Sequence, residues 1–192
     1  TITHMTQAEY FKGRGAQIKT GNRFLKKEYV TEHLEGLDEE QFSSPTTQVF
    51  YESPKEIVNK VTSPDLGMMY SLNPYQGCEH GCVYCYARNT HEYWGFNAGL
   101  DFESKIIAKK NAPWLLEKFI LHPDWNAVPI SVSGNTDCYQ PLERKLKITR
   151  GILEVFARYR HPVGIITKNS LILRDLDILA DLAKDDLVHV YI

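Results

Sequence analysis

Hydrophobic and polar positions divide the chain at residue 66. Residues 1–65 keep no sustained period. Gly13, Gly15 and Gly21 stand among Arg14, Lys19, Arg23, Lys26 and Lys27, followed by an acidic run over 32–40 and a Ser/Thr/Pro stretch over 43–47. This predicts an irregular N-terminal extension that wraps a core or lacks fixed structure, with both charge runs as solvated surface. From residue 66 the pattern becomes regular. Short apolar runs over 66–72, 104–108, 128–132, 163–167 and 188–192 predict strands. Between them, 113–121 predicts a helix carrying Leu115, Leu116, Phe119 and Ile120. Ile148, Ile152, Phe156 and Tyr159 share one helical face, as do Ile172, Leu176, Leu179 and Ala183.

Strands alternating with helices over short connections imply βαβ units and a parallel sheet, so the expected class is α/β. Ligands of such sheets gather beyond the carboxyl ends of the strands. Those ends carry the loop after 66–72, the loop over 134–137, Lys168-Asn169, and whatever follows Ile192. No internal repeat is present. The last apolar run closes the sequence with no loop or helix after it, which leads us to expect an interrupted unit of a longer natural chain.

Composition narrows the classes. The 192 residues are 43% hydrophobic and 24% charged with a net charge of −2, so a globally basic nucleic-acid binder is disfavoured. No apolar run approaches the roughly 18 residues of a membrane span, and residues 1–16 have no signal-peptide core. Four cysteines are too few for a disulfide scaffold, and three of them fall between positions 78 and 85. That crowding suits a metal site in a reducing compartment, hence a cytoplasmic protein.

The segment reads Gly77-Cys78-Glu79-His80-Gly81-Cys82-Val83-Tyr84-Cys85-Tyr86-Ala87. Three thiolates hold three irons of a 4Fe-4S cubane and leave the fourth iron open, whereas an electron-transfer cluster normally has four cysteines. An open iron can chelate an amine and a carboxylate, and S-adenosylmethionine offers both on its methionine end.

This spacing, with an aromatic before the third cysteine (Tyr84), resembles the signature of the radical SAM superfamily. Asn73-Pro74-Tyr75-Gln76-Gly77-Cys78 and Cys82-Val83-Tyr84-Cys85-Tyr86 resemble the spore photoproduct lyase group and its uncharacterised relatives. Gly134-Asn135-Thr136-Asp137-Cys138-Tyr139-Gln140-Pro141-Leu142-Glu143 and Ile166-Thr167-Lys168-Asn169 do so too. The resemblance covers residues 66–192. Residues 1–65 resemble the N-terminal extension of one subgroup, best marked at Gly13-Arg14-Gly15-Ala16.

The resemblance implies a partial (β/α)6, TIM-like barrel, here truncated after its fourth strand, with residues 1–65 as extension and 66–192 as the radical SAM core. It implies a 4Fe-4S cluster on Cys78, Cys82 and Cys85, reduced by an external one-electron donor of the flavodoxin or ferredoxin type. The cluster cleaves S-adenosylmethionine to methionine and a 5′-deoxyadenosyl radical, which takes hydrogen from a substrate. The substrate is unassigned, a nucleic acid being suggested by the resemblance only. Tyr84 and Tyr86 would line the pocket near adenine or ribose. Asn135, Thr136 and Asp137 would face the methionyl amine, and Lys168 the carboxylate. The hydrogen-donating Cys of spore photoproduct lyase falls on Gly134 here, and Cys138, one residue after Asp137, is the candidate donor in its place.

Each assignment has a plainer counterpart. The cysteines with Cys138 or His80 make a four-ligand zinc set, and a non-catalytic iron–sulfur or zinc-binding module is the alternative function. Cys138 also reads as a buried structural thiol. Tyr84 and Tyr86 also read as loop packing, Asp137 as a loop Asp bonding local backbone amides, and Lys168 as a solvated lysine. Glu143, Arg144 and Lys145 read as the opening of the following helix.

Overall fold

The computed structural model describes residues 11–25, 46–63 and 65–192. The acidic run over 32–40, Lys26, Lys27 and residues 43–45 lie outside the described residues. The elements in chain order are β1 (Gln48–Tyr51), β2 (Val58–Lys60), β3 (Tyr70–Leu72), β4 (Tyr75–Gln76), a 3-10 helix (Tyr86–Trp94), α1 (Leu100–Ser104), β5 (Lys105–Ala108) and α2 (Ala112–Ile120). Then follow β6 (Ile130–Val132), α3 (Glu143–Leu146), α4 (Ile148–Arg158), β7 (Val163–Ile166), a second 3-10 helix (Ser170–Asp175), α5 (Leu176–Ala183) and β8 (Val188–Tyr191). Each of the five apolar runs holds a strand, and each helical stripe holds a helix.

The larger sheet has the order β2-β3-β6-β7-β8. Its last four strands are mutually parallel, and β2 is antiparallel to β3. The four parallel strands lie side by side in chain order. The smaller sheet has the order β1-β5-β4. Residues of the extension therefore supply a strand to each sheet: β1 pairs with β5 and β2 with β3. Sequence periodicity did not single these strands out, because their side chains are mostly exposed and show no apolar run.

The core lies between the larger sheet and α2, α4 and α5. Leu72, Ile130, Val132 and Ile165 of the sheet meet Leu116, Ile152, Leu153, Phe156 and Leu182 of the helices, all without solvent exposure. Burial of each large apolar side chain contributes roughly 1.5–3 kcal/mol. Helices α2 and α4 approach closely at Gly151, where a Cβ would lie 3.0 Å from Pro113 Cγ.

Two of the helices, α4 and α5, return to the sheet through the same turn. After α4, Arg160 N donates to Ala157 O and His161 N to Phe156 O; after α5, Asp186 N donates to Ala183 O and Leu187 N to Leu182 O. This is the Schellman pattern, whose left-handed residue is usually glycine. Here it is Arg160 (φ 46°) and Asp186 (φ 54°). Among the described residues no helix is long and apolar enough to cross a membrane.

Candidate functional site

β3 delivers the chain through Asn73 and β4 into the cysteine loop. Gly77 turns it with φ 78°, against α1 and β5: a Cβ there would lie 2.9 Å from Lys105 O and 3.0 Å from Phe102 O. The next residue is fastened by Cys78 N donating to Phe102 O at 2.8 Å. Gly81 is a second left-handed turn, φ 62°, and Cys85 N closes back on Cys82 O at 3.2 Å. All three thiols are free. Cys78 is 6% exposed, and burial pushes its thiol up to about 12, so without a metal it is a neutral SH. Cys82 and Cys85 are half-buried.

The loop after β6 is wound tightly beside the cysteines. Ser133 sits in the left-handed region, φ 68°. Asn73 Oδ1 accepts from both Gly134 N and Asn135 N at 3.1 Å, and Thr136 Oγ1 donates to Tyr75 O at 2.8 Å. The strand ends of β3 and β6 are thus stitched together by one buried asparagine. Tyr86 Oη donates to Gly134 O across the mouth, while the largely exposed Tyr84 ring lines the pocket itself.

Asp137 joins this loop to the end of β7. Its Oδ1 accepts from Tyr139 N at 2.8 Å and Thr167 Oγ1 at 2.7 Å, and its Oδ2 from Lys168 N at 3.0 Å. His80 Nε2 lies 3.2 Å from Oδ2. Burial alone would raise the Asp137 carboxyl, but the donors around it outweigh burial and hold it below the ordinary carboxylate range. A carboxylate has about four lone-pair sites; three of them accept these hydrogen bonds, and His80 faces Oδ2. The Lys168 ammonium reaches across the pocket to Cys82 Sγ, at 2.8 Å, and this contact raises its pKa.

Cys78, Cys82, Cys85, Tyr84, Asn135, Thr136, Asp137 and Lys168 therefore line one pocket of about 240 Å³, together with His80 and Ile192. Cys138 does not join them. It is fully buried in the main core, its backbone held by Ser133 Oγ and Thr149 Oγ1, and burial pushes its thiol far up. A larger hollow of about 420 Å³, lined in part by Ile57, Leu115, Phe119 and Trp125, shares no residue with the cysteine pocket.

Sequence reasoning passed over several residues that shape the site. Gln140, fully buried, donates to Gly77 O at 3.2 Å and accepts from Glu79 N at 3.1 Å, so it grips the cysteine loop at both ends of Cys78. Glu143 does begin α3, but its carboxylate turns inward. It accepts from Tyr75 Oη, from Thr149 N at 3.1 Å and from Arg174 Nη2 at 2.8 Å. Both stand in the stretch 134–143, whose polar residues between apolar runs were the available signal.

Among the described residues, no three His, Cys, Asp or Glu side chains converge on a point that could hold a single metal ion. A zinc ion needs its sulfurs at about 2.3 Å from one point. A cubane asks for less convergence, because each thiolate takes its own iron. Three free thiols on a glycine-turned loop, with the remaining cysteine turned into the core, suit a three-thiolate cluster.

Uncharacterised proteins of Mycobacterium tuberculosis and Mycobacterium bovis are 37% identical to this chain over 137 residues, 71% of this chain and 40% of theirs. An uncharacterised protein of Methanocaldococcus jannaschii is 32% identical over 124 residues, 65% of this chain and 44% of its own. The chain thus spans less than half the length of these curated relatives. No family model and no solved structure matches it.

Proposed function

We propose that this chain is the cofactor-binding part of a radical SAM enzyme, with a 4Fe-4S cluster on Cys78, Cys82 and Cys85. The observation that carries the reading is the single pocket at the carboxyl ends of β3, β6 and β7, which joins three free thiols to Asn135, Thr136 and Lys168 without a fourth cysteine. The cluster, when bound, supplies the electron that cleaves the sulfonium C–S bond of S-adenosylmethionine, itself drawn from a flavodoxin- or ferredoxin-type donor.

The chain's own residues have distinct parts in this reading. Lys168 leaves Cys82 to pair with the methionyl carboxylate, a charge-assisted contact that suits a flexible ammonium. The amine is met by the Asn135 side chain and by backbone carbonyls of the loop. Asp137 positions Lys168 through its backbone amide, its oxygens accepting from Tyr139 N, Thr167 Oγ1 and Lys168 N. Tyr84 covers the adenosyl end, and Tyr86 holds the loop in place through Gly134. Consecutive parallel β3, β6, β7 and β8 are the first four strands of a partial (β/α)6 barrel.

Anaerobic reconstitution with iron and sulfide tests this. About four irons and four sulfides per chain are expected, with 5′-deoxyadenosine formed on adding dithionite and S-adenosylmethionine. Cys82→Ala is expected to lose the brown colour and Cys138→Ala to keep it. A colourless protein carrying one zinc favours the binding-module alternative and overturns the proposal.

A further inference from the structure

The segment over 11–25 folds across the back of the cysteine loop, and one buried carboxylate organises the contact. Glu103, at the end of α1, has no solvent exposure. Its oxygens accept from Gly15 N at 3.0 Å, Ala16 N at 2.8 Å and the Arg88 guanidinium. The same guanidinium donates twice to Cys82 O, at 2.9 and 3.2 Å, and once to Gly99 O at 3.3 Å. Glu103 thus lies one residue away from the backbone of the middle cysteine, and Arg88 fills that gap.

The backbones leave no slack. A Cβ on Gly15 would stand 1.8 Å from Gly81 O, and one on Gly81 would stand 2.9 Å from Gly15 N and 3.0 Å from Glu103 Oε2. Arg14 adds a bond from Nη1 to Glu103 O and one from Nη2 to Thr47 Oγ1, and Thr47 in turn donates to Glu79 Oε1 between Cys78 and Cys82. Further along, Leu100 N donates to Ile18 O, and Asn22 and Arg23 bind Glu92.

We propose that Glu103 is a positioning residue for the cluster: with Arg88 it clasps the Gly13-Arg14-Gly15-Ala16 segment onto the loop and holds Cys82 in register with Cys78 and Cys85. A buried carboxylate serves this well. It ties three donors from two distant segments to one rigid point, and each donor would be costly to bury unpaired. The proposal rests on the cluster reading, but it makes a claim about the metal-free chain as well.

The test uses the full chain with Gly15→Ala, which forces the segment off Gly81 while leaving Glu103 and Arg88 intact, and with Glu103→Gln. In metal-free protein, hydrogen exchange of amides 81–88 is expected to quicken about tenfold or more in both variants, with α4 and α5 exchange unchanged. After reconstitution, iron loss to a chelator is expected to quicken by a similar factor, and the reduced-cluster EPR signal to broaden. Wild-type exchange over 81–88 and wild-type iron loss in Gly15→Ala would overturn the proposal, as would equal quickening in α4 and α5, which marks general destabilisation. If the wild-type chain binds no cluster, the proposed function fails by itself, and the exchange arm still decides whether the clasp exists.

Discussion

Replacing Asp175 by Asn is expected to destabilise the fold severely, and replacing its neighbour Asp177 by Asn barely at all. Asp175 closes the second 3-10 helix with its side chain fully buried. Oδ1 accepts from Arg150 Nη1 and Arg174 Nε, each at 2.9 Å, and Oδ2 from Arg174 Nη2 at 2.7 Å and Tyr139 Oη at 3.1 Å. An amide keeps one acceptor oxygen and turns the other into a donor facing donors, so two of these contacts are lost. Hydrogen bonds to charged groups contribute about 1.5–3 kcal/mol each, and breaking a buried ion pair costs about 3–5 kcal/mol. Arg174 keeps Glu143 and Arg150 keeps Asp177, which places the expected loss near the lower end, about 3 kcal/mol. Asp177 is 62% exposed, and a solvent-screened surface pair such as its contact with Arg150 contributes little to stability.

Urea unfolding of the two variants at pH 7 measures the difference. With a slope of about 2 kcal/mol per molar, Asp175→Asn moves the midpoint down by about 1.5 M and Asp177→Asn by less than about 0.5 M. Acidity supplies a second check. Burial would raise the Asp175 carboxyl, but the bonds from Arg174 and Arg150 outweigh it, and its folded pKa lies below the ordinary value. The stabilisation from ionised Asp175 is therefore complete above the unfolded value of about 3.9 and is lost as pH falls through the folded value. The gap between wild type and Asp175→Asn should stay constant from pH 6 to 8 and close below about pH 4. Two variants equal within about 0.5 kcal/mol at pH 7, or a gap that widens in acid, would refute the reasoning.

Two further outcomes follow from backbone geometry. Gly77→Ala places a methyl against two carbonyl oxygens at a left-handed position, so reconstituted protein is expected to hold well under half the iron of wild type by colorimetric assay. Asp186→Gly relieves a left-handed aspartate that ends α5. Relief of about 1–2 kcal/mol, less the added freedom of the unfolded chain, should raise stability by roughly 0.5–1 kcal/mol in thermal unfolding.

Some of the site was legible because its determinants are local. The three cysteines and Tyr84 lie within eight positions of one another, and the residues at the ends of β6 and β7 follow apolar runs whose period marks them as strands. Asp137 was legible as a site residue, and as a loop Asp bonding nearby amides. That its second oxygen is engaged by Lys168 N, thirty-one residues on, was not. The helix ends at Arg160 and Asp186 carried no signal at all, because the residue type usual at a left-handed turn is absent there.

By itself the sequence determined the alternation of strand and helix, the spacing of the thiols, and the strand ends on which polar residues had to collect. Tertiary structure alone decided that Cys138 turns into the core, and that Glu103, Glu143 and Asp175 are buried anchors rather than surface acids. The reason is distance along the chain. A carboxylate is recognisable as buried only through its donors, and those of Glu103 and Glu143 include groups 88 and 68 residues away. Such groups meet only when the sheets assemble, whereas the period of a strand or the spacing of three cysteines is complete within a single turn of chain.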